Sequence, residues 1–196
     1  MEQEQNYSPP TREQLERELE RVKYKRGYLK ALRGTVAILI VVASIAVIAA
    51  TMMFPILRIY GNSMTPTLEE GNIVVTLKGT GYERGDLIAF YYNNKILVKR
   101  VIAMPGEWVN IDESGRVYIN DILQEEEYLA DGERDLGECD IELPYQVPEG
   151  RVFVMGDHRS VSIDSRSSTI GCVSEEQIVG RLLLKIWPFT GAGPVR

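Results

Sequence analysis

The chain is short of the residues on which most hydrolytic and metal chemistry is built. Among its 196 residues there is one histidine, His158, and two cysteines, Cys139 and Cys172. One imidazole and two widely spaced thiols do not supply the ligands of a zinc site. A histidine-activated serine would have a single base available. The adjacent Asp157 is badly placed to orient that base, because neighbouring residues of an extended chain point to opposite faces. Neither cysteine sits in a nucleophile context, and the sequence leaves the pair open between a disulfide and two free thiols.

Charge is absent from one long run. Gly34 to Leu57 contains no ionisable side chain. As a helix rising 1.5 Å per residue it would reach about 36 Å, enough to cross a hydrocarbon core of about 30 Å. A preceding arm of more than 30 residues argues for a retained anchor over a cleaved leader. Acidic residues are missing from the flank before it, where Arg21, Lys23, Lys25, Arg26, Lys30 and Arg33 stand. This asymmetry predicts a cytoplasmic N-terminus, with residues from about 58 onward on the far side. The basic flank suits anionic lipid headgroups. The expected organisation is therefore an arm at 1–33, a span at 34–57 and an outer domain at 58–196. Thr11 and Gln14 form a capping-box pattern after two prolines, so the arm reads as a short amphipathic helix or as a solvated, fraying segment.

The net charge is −6, and it is concentrated. Residues 112–142 carry twelve carboxylates against Arg116 and Arg134. An acidic excess speaks against nucleic acid as a partner. The stretch 121–143, poor in apolar periodicity, reads as an insertion, an edge hairpin or an ordinary solvated face.

What remains is rich in short strand patterns: 72–78, 86–92, 96–103, 107–111, 115–120, 151–157 and 180–187. Asn93–Asn94 and the "DESG" at 112–115 are good hairpin connections, and Ser174 with Gln177 marks one brief helix. The expectation is a mainly β fold, an antiparallel domain after a transmembrane helix.

Three segments could carry chemistry. "GNSMTPTL" (61–68) offers Ser63 as a hydroxyl just beyond the span. "ILVKRVIA" places Lys99 on one strand face with Leu97 and Val101, and Arg100 on the other with Val98 and Ile102. A lysine buried there would have a lowered pKa and become a general base; a lysine snorkelling from a half-exposed strand fits the same letters. "GDHRSVSIDSR" (156–166) packs opposite charges among serines, as an ordered polar loop or a solvated turn cluster.

Taken in order after one anchor, "GNSMTPTL", "RGDLIAF", "VKRVIAMPGE" and "GDHRSVSIDSR" resemble the boxes of bacterial type I signal peptidases, over about residues 35 to 190. The single-span Gram-positive forms are the most similar. The resemblance implies a mainly β endopeptidase without cofactor or metal. It also implies a single pass in the bacterial plasma membrane and secreted preproteins as substrates, cut after small residues in an Ala-x-Ala pattern. By position, Ser63 matches the nucleophile and Lys99 the general base. Ser162 matches the hydroxyl that orients the lysine, and Asp164, Arg166 and Arg159 match supporting charged residues. Ile59, Leu68, Ile96 and Val98 match positions lining shallow pockets, and Tyr60 and Leu97 lie in the same two segments. Gly61 stands where some members carry a serine that helps hold the oxyanion, which leaves the Ser63 amide as donor. His158 replaces the usual asparagine and matches no catalytic position.

Overall fold

A computed structural model of the protein describes residues 9–129 and 134–195. The first eight residues of the arm and residues 130–133 of the acidic stretch lie outside the described part. Contacts divide the chain into two units, up to Ala50 and from Thr51 onward.

The first unit is helical. Helix α1 runs from Arg12 to Met53 without a break between the expected arm and the expected span. Its start is the expected capping box: the Thr11 amide donates to Gln14 Oε1 at 3.0 Å, and the Gln14 amide to Thr11 Oγ1 at 3.4 Å. No residue of α1 is buried, and the helix is long and apolar enough to cross a membrane.

The helix stops four residues before the expected boundary at Leu57. Pro55 has no amide proton to continue it, and the Pro55 carbonyl accepts instead from the Thr76 amide and hydroxyl, both at 2.9 Å. Ile56–Arg58 then forms strand β1. In chain order the other strands are β2 (Ile73–Leu77), β3 (Leu87–Tyr92), β4 (Lys95–Ala103), β5 (Trp108–Ile111), β6 (Val117–Ile119) and β7 (Ile122–Leu123). They continue with β8 (Tyr145–Gln146), β9 (Arg151–Met155), β10 (Val173–Ser174), β11 (Ile178–Trp187) and β12 (Gly193–Pro194). One sheet has the order β1-β2-β11-β3-β4-β9-β10 with β12 beside β11; the other is β7-β6-β5-β8. Every pairing among the described residues is antiparallel.

Local chemistry explains the connections. Asn93 and Asn94 adopt φ of 42° and 64°, the left-handed pair that a two-residue hairpin between β3 and β4 requires. Ser174 and Gln177 cap a one-turn 3₁₀ helix, Glu175–Gln177. Among the described residues, three apolar clusters fill the domain. The one beneath the site joins Ile59, Met64, Leu68, Val74, Leu87, Ala89, Val179 and Leu182.

The acidic stretch is more than a solvated face. Leu136, Ile141 and Leu143 pack on the cluster built around Val109, Ile119 and Phe153, and Glu126 is buried. Cys139 and Cys172 are both free, and burial pushes the Cys172 thiol up to about 11.

Candidate active site

Ser63 sits in a tight turn between β1 and β2. Gly61 opens it with φ of +79°, a conformation that L side chains rarely adopt. The Thr65 amide donates to Asn62 O at 3.1 Å and the Leu68 amide to Met64 O at 2.8 Å. Met64 and Leu68 plug the turn into the apolar cluster below. Leu68, expected in the substrate pocket, is therefore sealed underneath it with no exposed surface. Ser63 itself is half-buried. Among the described residues its amide N–H has no acceptor, while its carbonyl accepts from the His158 amide at 3.1 Å.

Lys99 comes from β4 and is 3% exposed. Its Nζ lies 2.8 Å from Ser63 Oγ and 2.8 Å from Ser162 Oγ, so the expected base, nucleophile and orienting hydroxyl do meet. Burial draws the Lys99 amine down to about 8; Asp164 and Asp157 raise it and Arg166 lowers it, all less strongly than burial acts. An ammonium stripped of water is disfavoured unless a carboxylate touches it. Among the described residues, Lys99 Nζ donates to two hydroxyls and to no carboxylate.

The loop after β9 is held by charge. Arg166 grips Asp164 through Nε (2.8 Å) and Nη2 (2.8 Å), and also donates to Ser162 O and Arg159 O. Burial works against the ionised Asp164 carboxyl, yet the Arg166 guanidinium and the Gly156 amide hold it below the usual carboxylate range. Arg159, fully buried, pairs with Glu126. Arg100 pairs with Asp157, which takes Asp157 out of any triad with His158. His158 Nδ1 instead lies 2.9 Å from Thr65 Oγ1.

Sequence reasoning missed three parts of this arrangement. The Arg100–Asp157 pair was foreshadowed by an arginine within an apolar strand. Glu126 and Tyr128 carried no signal, being one carboxylate among twelve and one tyrosine among ten. Gly156 was visible only as the first letter of a box. A Cβ there would stand 2.3 Å from Ser162 Oγ and 2.5 Å from Ser63 O, so only glycine lets the loop pass between them.

Next in sequence to Ser63 and Lys99, Ile59, Tyr60 and Gly61 together with Ile96, Leu97 and Val98 line a groove of about 820 Å³. Arg58 and Lys95 also border it. β1 is the last strand of its sheet. β4 meets β9 only from Arg100 onward, so the 96–98 backbone has one unpaired edge among the described residues. Open strand edges over an apolar floor suit an extended peptide.

The family model for "Signal peptidase, peptidase S26" matches residues 32–187. Signal peptidase I U of Bacillus subtilis (strain 168) is 35% identical over 167 residues, covering 76% of this chain and 88% of the relative. Signal peptidase IB of Staphylococcus aureus (strain COL) is 37% identical over 150 residues, with 67% and 77% covered. A solved signal peptidase I from Enterococcus faecalis V583 shares 32% identity and covers 53% of this chain and 97% of its own, with a TM-score of 0.46. The protein belongs to the signal peptidase family, peptidase S26, and is a serine peptidase of that family.

Proposed function

We propose that the protein is a membrane-bound endopeptidase that removes signal peptides from secreted preproteins, with Ser63 as nucleophile and Lys99 as general base. The observation that carries this reading is the Lys99 amine, buried and 2.8 Å from both Ser63 Oγ and Ser162 Oγ. Neutral Lys99 takes the proton of Ser63 Oγ as the oxygen attacks the scissile carbonyl. The C–N bond breaks as Lys99 returns that proton to the leaving amine, and water then hydrolyses the acyl-serine with Lys99 again as base. Ser162 holds the amine in line, and Asp164, Arg166 and Arg159 hold Ser162. The Ser63 amide donates to the oxyanion; Gly61 adds no side-chain donor.

Substrate enters as an extended strand against residues 59–61 and 96–98. The shallow floor of Ile59, Ile96 and Val98 suits small side chains, as in an Ala-x-Ala pattern. Helix α1 anchors the enzyme in the bacterial plasma membrane, its basic end cytoplasmic and on anionic lipid. A signal peptide held in the same bilayer would meet the site at high effective concentration.

The test is cleavage of a preprotein by the full chain in detergent, with Edman sequencing of the released N-terminus. The expected result is one cut after a small residue, abolished in both Ser63→Ala and Lys99→Ala. Undiminished cleavage by either variant overturns the dyad.

A further inference from the structure

The contacts least foreseen come from the acidic segment. Glu126, 5% exposed, forms an ion pair with the fully buried Arg159. Two residues on, the Tyr128 hydroxyl donates to Glu126 Oε1 at 2.8 Å and accepts from Arg159 Nη2 at 3.3 Å. The Tyr128 ring lies against the Arg100 guanidinium, whose Cζ is 3.9 Å from the ring centroid. A piece of three residues thus grips two arginines from separate parts of the site.

Each arginine leads to the dyad. Arg100 follows Lys99 in β4 and ties it to Asp157. Arg159 Nε donates to the Gly156 carbonyl at 3.2 Å, and Gly156 is the residue pressed between Ser63 and Ser162. The Arg159 carbonyl accepts from the Arg166 Nη2 that also donates to Ser162 O. The start of the segment is itself fastened, since Arg84 donates to Gln124 Oε1 at 3.1 Å and pairs with Glu107.

We propose that Glu126 and Tyr128 form a strap that positions the general base, clamping Arg100 and Arg159 so that Lys99 stays aligned with Ser162 and shielded from water. The inference rests on Lys99 being the base. Glu126 and Tyr128 are positioning residues, acting through the two arginines.

The direction of the effect follows from what surrounds Lys99. The charged groups acting on it are Asp164, Arg166 and Asp157 from the loop after β9, with Arg100 beside it on its own strand. Burial is the strongest influence, and Lys99 Nζ donates to Ser63 and Ser162 rather than to Glu126. Neutralising Glu126 therefore works by hydration. An unpaired buried guanidinium draws in water or moves out, and a better hydrated Lys99 holds its proton to higher pH.

The experiment measures kcat and KM of the full chain in detergent on a preprotein between pH 6 and 10. For Glu126→Gln the acid limb of kcat moves up by about one pH unit, so kcat at pH 7 falls about tenfold, recovers at high pH, and KM hardly changes. Glu127→Gln removes the same charge from an exposed neighbour and keeps the wild-type profile. Tyr128→Phe, which loses both hydroxyl contacts but keeps the ring, moves the limb the same way by less. An unmoved limb in Glu126→Gln overturns the proposal. If circular dichroism shows that variant unfolded, Tyr128→Phe decides: a moved limb supports the strap and an unmoved one overturns it. Parallel assays of Lys99→Ala separate the failures. Activity there overturns the base itself, whereas an inactive Lys99→Ala with a wild-type profile in Glu126→Gln overturns the strap alone.

Discussion

Arg100 and Asp157 face each other across β4 and the loop after β9, joined by Nε to Oδ1 at 2.9 Å and Nη2 to Oδ2 at 2.6 Å. Both are almost completely buried. Asp157 Oδ2 also accepts from the Thr67 hydroxyl at 2.5 Å. One carboxylate thus links the strand of Lys99, the turn of Ser63 and the loop of Ser162. Asp157→Ala removes one partner of a buried ion pair, an effect that destabilises proteins by about 3–5 kcal/mol. Urea denaturation monitored by fluorescence should show that loss, with activity falling alongside.

Gly156 gives a sharper steric prediction. A methyl at this position collides with Ser162 Oγ and the Ser63 carbonyl, and the backbone carbonyl cannot swing aside as a flexible side chain would. Gly156→Ala should destabilise by about 1–3 kcal/mol, the range for overpacking. Loss of kcat by a hundredfold or so is expected as well, since about 1 Å of misplacement at reacting atoms has that effect. A crystal structure of the variant with the Lys99–Ser162 distance unchanged would count against this account.

Burying Lys99 has a thermodynamic signature. Its pKa falls from 10.5 to about 8 on folding, mainly through burial. Between those values the unfolded chain binds more protons than the folded one, so stability rises with pH from about 8 to 10.5 and the penalty is complete below 8. Lys99→Met removes it, raising stability at pH 7 by on the order of 2–3 kcal/mol and abolishing activity. Thermal unfolding across pH 7–10.5 checks both the gain and the flattened pH dependence.

Much of this was legible in the letters. The alternation of "ILVKRVIA" isolates Lys99 among apolar neighbours, and the seven strand patterns, the Asn93–Asn94 turn and both capping boxes are present as expected. Two things were hidden for physical reasons. Ile56 and Leu57 are apolar and continue the uncharged run, so hydropathy could not tell them from the helix before them; only pairing with Val75 and Val74 makes them strand. Glu126 meets Arg159 across 33 residues, and nothing local marks which carboxylate of an acidic run will be buried. Leu68 failed as a pocket residue for the converse reason: its apolar side chain anchors the turn from below.

The claim at the centre is that a neutral Lys99 activates Ser63, and the pH dependence of kcat/KM for preprotein cleavage tests it most directly. The limb reports the free enzyme's base. It should lie near pH 8, where burial places Lys99, with activity falling about tenfold per unit below it. His158→Asn should leave it in place. A profile flat from pH 6 to 10, or a limb that His158→Asn removes, would contradict the account.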